Sequence, residues 1–125
     1  MTELSPKTLA LLLSLKQDPF TVQIQGVSMN PTLHEGDLVL VQRQKAYTPG
    51  DILVYDYGEE GILIHRLLHQ AHGLYYCRGD NAVRIERIHE KRILGKVLSF
   101  ADGKTIPAYP PNHWSEETAE PKTTK

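Results

Sequence analysis

The sequence predicts a mainly β domain with one short N-terminal helix. Three observations predict it. Apolar runs of strand length recur at close intervals after residue 20, turn signals separate them, and helical periodicity is confined to the first eighteen residues. With 125 residues the chain can build one domain with one core, so the expected organisation is an N-terminal helical segment over 1–18, a compact domain over 19–110 and a disordered tail over 111–125.

Ser5-Pro6 ahead of Leu9-Ala10-Leu11-Leu12-Leu13 reads as a capped helix start, with Ser5 at the cap and Pro6 in the first turn. Lys7 and Lys16 bracket this run, which is far shorter than the about 20 apolar residues a membrane-spanning helix needs. Alternation over residues 21–25 predicts a half-buried strand, and the row Leu38-Val39-Leu40-Val41 a more deeply buried one. Pro49-Gly50-Asp51 marks a turn into a strand over 52–57, and Gly58 with the acidic pair after it suits a hairpin tip. Strands over 62–70 and 74–78 flank a His72-Gly73 turn, and a last strand over 93–100 precedes Asp102-Gly103.

Composition narrows the function classes. A formal net charge of -1 and the lack of any basic block argue against nucleic acid as a partner. Cys77 is the only cysteine, so no intrachain disulfide can form, and a small buried strand residue is its expected role. His65, His69 and His72 lie close together, but the spacing is not a zinc signature, so no metal and no other cofactor is expected. The tyrosines at 55, 57, 75 and 76 read as strand packing. His34, His89 and His113 read as surface residues, and Trp114 as either an anchor for the domain end or a partner contact.

Three places carry residues suited to chemistry. In Gly26-Val27-Ser28-Met29-Asn30-Pro31-Thr32-Leu33 a serine sits in a tight loop at a strand end, with Gly26 permitting close approach and Pro31 stiffening the far side. A nucleophilic hydroxyl needs that fixed position and nearby backbone N–H groups. His65 lies inside the apolar run Ile62-Leu63-Ile64-His65-Arg66-Leu67-Leu68, where a shielded imidazole suits a general base and Arg66 faces the opposite way. In Arg78-Gly79-Asp80-Asn81, Asp80 could orient His65 as the third member of a triad.

In their order and intervals these segments resemble type I signal peptidases and the self-cleaving SOS repressors. Gly26 to Leu33 with Gly36-Asp37 is similar to the family's nucleophile box, a Ser-Met-x-Pro-Thr-Leu motif followed by Gly-Asp. Pro49 to Leu53, His65-Arg66-Leu67, Gly79-Asp80-Asn81 and Gly95-Lys96-Val97 are similar to the boxes that follow. The base position, lysine in the bacterial membrane enzymes and the repressors, is histidine here, as in the archaeal and endoplasmic-reticulum enzymes. The resemblance implies a signal-peptidase or repressor C-terminal-domain-like β fold and a serine endopeptidase. Ser28 would be nucleophile, His65 general base, Asp80 its support, the Ser28 N–H an oxyanion donor and Asp37 a structural residue of the loop. It implies a peptide or protein substrate bound as an extended strand. The family often carries a further acidic residue a few positions after Asn81, for which Glu86 is the one nearby candidate.

The family's membrane anchor has no counterpart in this sequence, so a cytoplasmic protein is expected, with peripheral membrane contact or recruitment by a partner protein as the alternative. Two other functions fit the same pattern. One is a self-cleaving regulator, disfavoured because the segment before Gly26 lacks an Ala-Gly or Cys-Gly step. The other is a non-catalytic peptide-binding or scaffold module.

Overall fold

A computed structural model describes residues 19–108, together with Thr8 and Leu12, both of them helical. The remainder of the expected N-terminal helix, the tail, His113 and Trp114 lie outside the described residues. The described residues are mainly β, with seven strands in one antiparallel sheet. These are β1 (Phe20–Gln23), β2 (Leu38–Gln42), β3 (Ile52–Asp56), β4 (Ile62–Ala71), β5 (Leu74–Arg78), β6 (Ile85–His89) and β7 (Ile93–Phe100), in the order β1-β2-β7-β3-β4-β5-β6. Short 3-10 turns at Gly58–Glu60 and Glu90–Arg92 join β3 to β4 and β6 to β7. Among the described residues no helix is long and apolar enough to cross a membrane.

Two apolar clusters lie on the two faces of the sheet, and β3 contributes to both. Ile52 and Val54 pack with Met29, Leu33, Val39, Val41, Leu94 and Val97, while Leu53 and Tyr55 pack with Leu67, Tyr75, Cys77, Ile88 and Ile93. A central strand covered on both sides has no polar face, which is why Ile52-Leu53-Val54-Tyr55 is an unbroken apolar run.

The expected strands all form, within a residue or two of their predicted ends. The turn expected at His72-Gly73 closes β4 on β5, with positive φ at both residues (54° and 79°), the backbone of a two-residue hairpin turn. β6 is an addition. In Ile-Glu-Arg-Ile-His the apolar residues stand three apart, against the period of a strand, and burial inverts what the side chains would choose: Ile85 is exposed while Glu86 is buried.

Bulges interrupt the pairing between β2 and β7, β3 and β7, and β4 and β5. Each adds a residue to one strand and sharpens the local twist. The sheet coils until the loop leaving β1 meets the β5–β6 loop near its other edge. There the Asn81 N–H donates to the Ser28 carbonyl at 2.8 Å, and the Asn81 amide Nδ2 to the Val27 carbonyl at 3.1 Å.

Candidate active site

The first tight loop holds Ser28 by a few internal bonds and two buried anchors. Asn30 N–H donates to the Val27 carbonyl at 3.1 Å and Leu33 N–H to the Met29 carbonyl at 2.9 Å, while Met29 and Leu33 are sunk in the core. Gly26 enters the loop with φ of 80° and nothing within 4 Å of where a Cβ would stand, so backbone conformation is what the position requires. Asp37 closes the loop, its Oδ2 accepting from His34 N–H at 2.8 Å, and Asp51 repeats the device by accepting from Thr48 N–H at 2.9 Å. The Gly36-Asp37 and Gly50-Asp51 steps are therefore turn locks.

His65 reaches the same place from β4. Register pairs His65 with Leu53 of β3, and Glu86 of β6 with Cys77 of β5. Because alternate residues share a face, Tyr55, His65, Cys77 and Glu86 all project from one side of the sheet, three strands apart at the extremes. The Ser28 hydroxyl and His65 Nε2 lie 3.0 Å apart. His65 Nδ1 is 2.7 Å from Glu86 Oε1, which also accepts from the Tyr55 hydroxyl at 2.7 Å. The 3.3 Å between Tyr55 oxygen and His65 Nδ1 is the separation of two donors converging on one carboxylate oxygen. A proton on Nδ1, pointing at Glu86, leaves Nε2 with a free lone pair directed at Ser28.

His65 and Glu86 are both buried. Burial alone would raise the Glu86 carboxyl, but hydrogen bonds from His65, Tyr55 and Arg84 outweigh it and hold the group below the usual glutamate range. Burial of Tyr55 pushes its phenol well above the ordinary tyrosine range, so it stays a neutral donor. Cys77 fits its expected role: it is fully buried and burial pushes its thiol up to about 12, which keeps it protonated and inert.

The expected contact between Asp80 and His65 is not the one the side chains make. Both Asp80 oxygens are occupied by Arg66, through Nε and Nη2 at 2.8 Å each, and Oδ2 also accepts from Thr32 Oγ1 at 2.6 Å. Arg66 leaves the opposite face of β4 from His65, and the Asp80 carboxylate meets its guanidinium through both oxygens. Arg66 Nη1 further binds the Gly50 carbonyl at 2.7 Å. Asp80 thus ties the nucleophile loop to β4 beside His65, and Glu86 takes the position against the imidazole. His69, four residues after His65, does not share its face, because the β4–β5 bulge shifts the register and His69 stacks on Tyr76 with ring centroids 4.6 Å apart.

A family model described as Peptidase S24-like matches residues 2–98, a span that contains Ser28, His65, Asp80 and Glu86. The chain belongs to that family. No curated protein matches it. Membership in the S24-like family agrees with the mainly β sheet and makes the fold that of a serine peptidase or a related regulator.

Gly79 is the tightest point of this S24-like site. A Cβ there would stand 2.5 Å from the Ser28 carbonyl oxygen and 3.1 Å from two atoms of the His65 ring. Gly79→Ala must push the serine loop and the imidazole apart. A displacement of even about 1 Å at reacting groups costs on the order of 10²-fold, so Gly79→Ala is expected to lower any Ser28-dependent rate by about that factor. Comparing labelling of Ser28 in the two proteins checks it.

Proposed function

We propose that the chain is a serine endopeptidase in which Ser28 is the nucleophile, His65 the general base and Glu86 the carboxylate that orients the base. The 3.0 Å approach of Ser28 Oγ to His65 Nε2 carries this reading. A histidine occupies the base position, so the chain falls with the histidine-base members of the wider group rather than the lysine-base ones.

The residues support a complete cycle. Ser28 Oγ adds to the scissile carbonyl carbon as its proton passes to Nε2. Glu86, anionic and bonded to Nδ1–H, stabilises the imidazolium that results. Among the described residues the Ser28 N–H donates to no protein acceptor, which leaves it for the oxyanion. Collapse breaks the C–N bond, and Nε2 gives its proton to the departing amine. Water then attacks the acyl group on Oγ, passes a proton to Nε2, and the acid leaves as Ser28 regains its hydrogen. Asp80, with Arg66 and Thr32, fixes the distance between nucleophile loop and base.

The substrate is an extended peptide. Exposed apolar side chains border the site in sequence, Val27 next to Ser28 and Val83 and Ile85 on either side of Arg84, and among the described residues β6 is an edge strand with a side open to pairing. A non-catalytic module would have no need to hold a buried, hydrogen-bonded imidazole against a half-exposed hydroxyl.

The test is covalent labelling with a fluorophosphonate probe, read by mass spectrometry. Labelling is expected on Ser28 alone and is expected to be lost in His65→Ala. An unlabelled protein, or a label on another residue, would overturn the assignment and favour the scaffold reading.

A further inference from the structure

The Glu86 carboxylate is held from four directions. His65 of β4 and the Tyr55 hydroxyl of β3 converge on Oε1, and the Cys77 thiol of β5 packs on the same face as an uncharged neighbour. The fourth is Arg84, just ahead of β6, whose Nε donates to Oε2 at 2.9 Å. Arg84 is exposed, and a free arginine of that kind would sample many rotamers. This one does not have that freedom. Its Nη1 and Nη2 donate to the two oxygens of Glu60 at 3.0 and 2.8 Å, and its guanidinium carbon lies 5.4 Å from the centroid of the Tyr57 ring. Glu60 and Tyr57 both belong to the β3–β4 connection, so the hairpin tip fixes the arginine, and the arginine fixes the outer oxygen of Glu86.

The arrangement is directional. A carboxylate bonded only through Oε1 could rotate about its last bond and offer His65 either oxygen, or neither. Pinning Oε2 with a planar donor sets the plane of the group and leaves Oε1 facing Nδ1. We infer that Arg84 is a positioning residue for the proposed base, holding Glu86 in the orientation in which it supports His65, and that the Tyr57–Glu60 hairpin tip is its clamp. Arg84 meets neither Ser28 nor His65 in any hydrogen bond; it acts through Glu86.

The inference rests on the peptidase reading above, and its consequence for pH has a definite sign. Arg84 is one of the groups that hold the Glu86 carboxyl below its usual range. Without the guanidinium, Glu86 takes a proton at higher pH, so support of the base fails earlier as pH falls. A residue with only a structural role would lower stability and leave that limb where it was.

The experiment compares wild-type protein with Arg84→Ala, Arg84→Lys and Glu60→Gln, reading the rate of fluorophosphonate labelling against pH, the melting temperature, and the ¹³C titration of the Glu86 carboxyl in a Ser28→Ala background. Arg84→Ala is expected to label about tenfold more slowly, with its acidic limb displaced to higher pH and the Glu86 titration displaced with it. Arg84→Lys keeps the charge and loses the fork, so it should recover part of the displacement, and Glu60→Gln should fall between wild type and Arg84→Ala. An unchanged limb and titration in Arg84→Ala overturns the inference, whether labelling is unaffected or drops only in step with melting temperature. Failure of the wild type to label at all would instead sink the peptidase reading. The carboxyl titration, which needs no activity, would then still decide whether Arg84 governs Glu86.

Discussion

Ser28→Ala, His65→Ala and the double variant are expected to lose peptide cleavage by nearly the same factor, on the order of 10⁴-fold or more. In the proposed mechanism hydroxyl and imidazole act as one unit. Without His65 the serine has no acceptor for its proton, and without Ser28 the imidazole has nothing to activate, so the second removal takes away nothing further. The single hydrogen bond at 3.0 Å between them makes the coupling direct. Ser28→Ala should leave the chain folded, since Ser28 is only half buried, whereas His65→Ala takes a hydrogen bond from the buried Glu86 carboxylate and is expected to lower stability while Tyr55 and Arg84 still hold that group. Cleavage rates of the three proteins, with melting curves alongside, provide the measurement. If the two single losses multiplied in the double variant, the residues would be acting independently and the shared mechanism would fall.

The second large effect concerns stability. Asp80→Ala strips Arg66 of a bidentate partner at a place where both side chains are almost wholly buried. A pair of this kind adds little over an apolar replacement, but breaking it leaves an uncompensated buried charge at a cost of about 3–5 kcal/mol. For a domain of this size that corresponds to a fall in melting temperature on the order of 20 °C. Thr32 also loses its acceptor, so the nucleophile loop is released from β4. Replacing both partners together, Arg66→Met with Asp80→Leu, should restore much of the stability lost in Asp80→Ala. A melting temperature for Asp80→Ala within a few degrees of wild type would show that the pair is not the fastening described here.

Much of this was legible in the sequence because period-2 patterning and turn residues report local preference directly. β3 and β7 announce themselves as apolar runs, the His72-Gly73 turn as a turn signal, and Ser28 and His65 as polar residues in places where packing alone would not put them. Three features stayed hidden for physical reasons. β6 hides because its burial is set by Glu86 facing a distant imidazole, which reverses the alternation a strand normally shows. Asp80 and Glu86 were hard to separate because two acids follow the same strand, and only sheet register and face decide which meets His65. Tyr55 reads as packing, and it does pack edge-on against Tyr57, but its hydroxyl is also part of the carboxylate's shell. Two sequence signals existed for Glu86: the resemblance expects a further acidic residue after Asn81, and Glu86 stands where an apolar residue would continue toward Ile88, two positions later.

The coiling of the sheet has a consequence for the order in which the protein comes into being. The bonds that bring the two halves of the site together span 37, 48 and 54 positions along the chain. Such distant closures come late in folding, after the hairpins on either side have formed. During synthesis the hydroxyl emerges well before the strand that carries Glu86. A nascent chain therefore holds a serine with no working partner, and any hydrolytic power waits until the β5–β6 hairpin has closed over it.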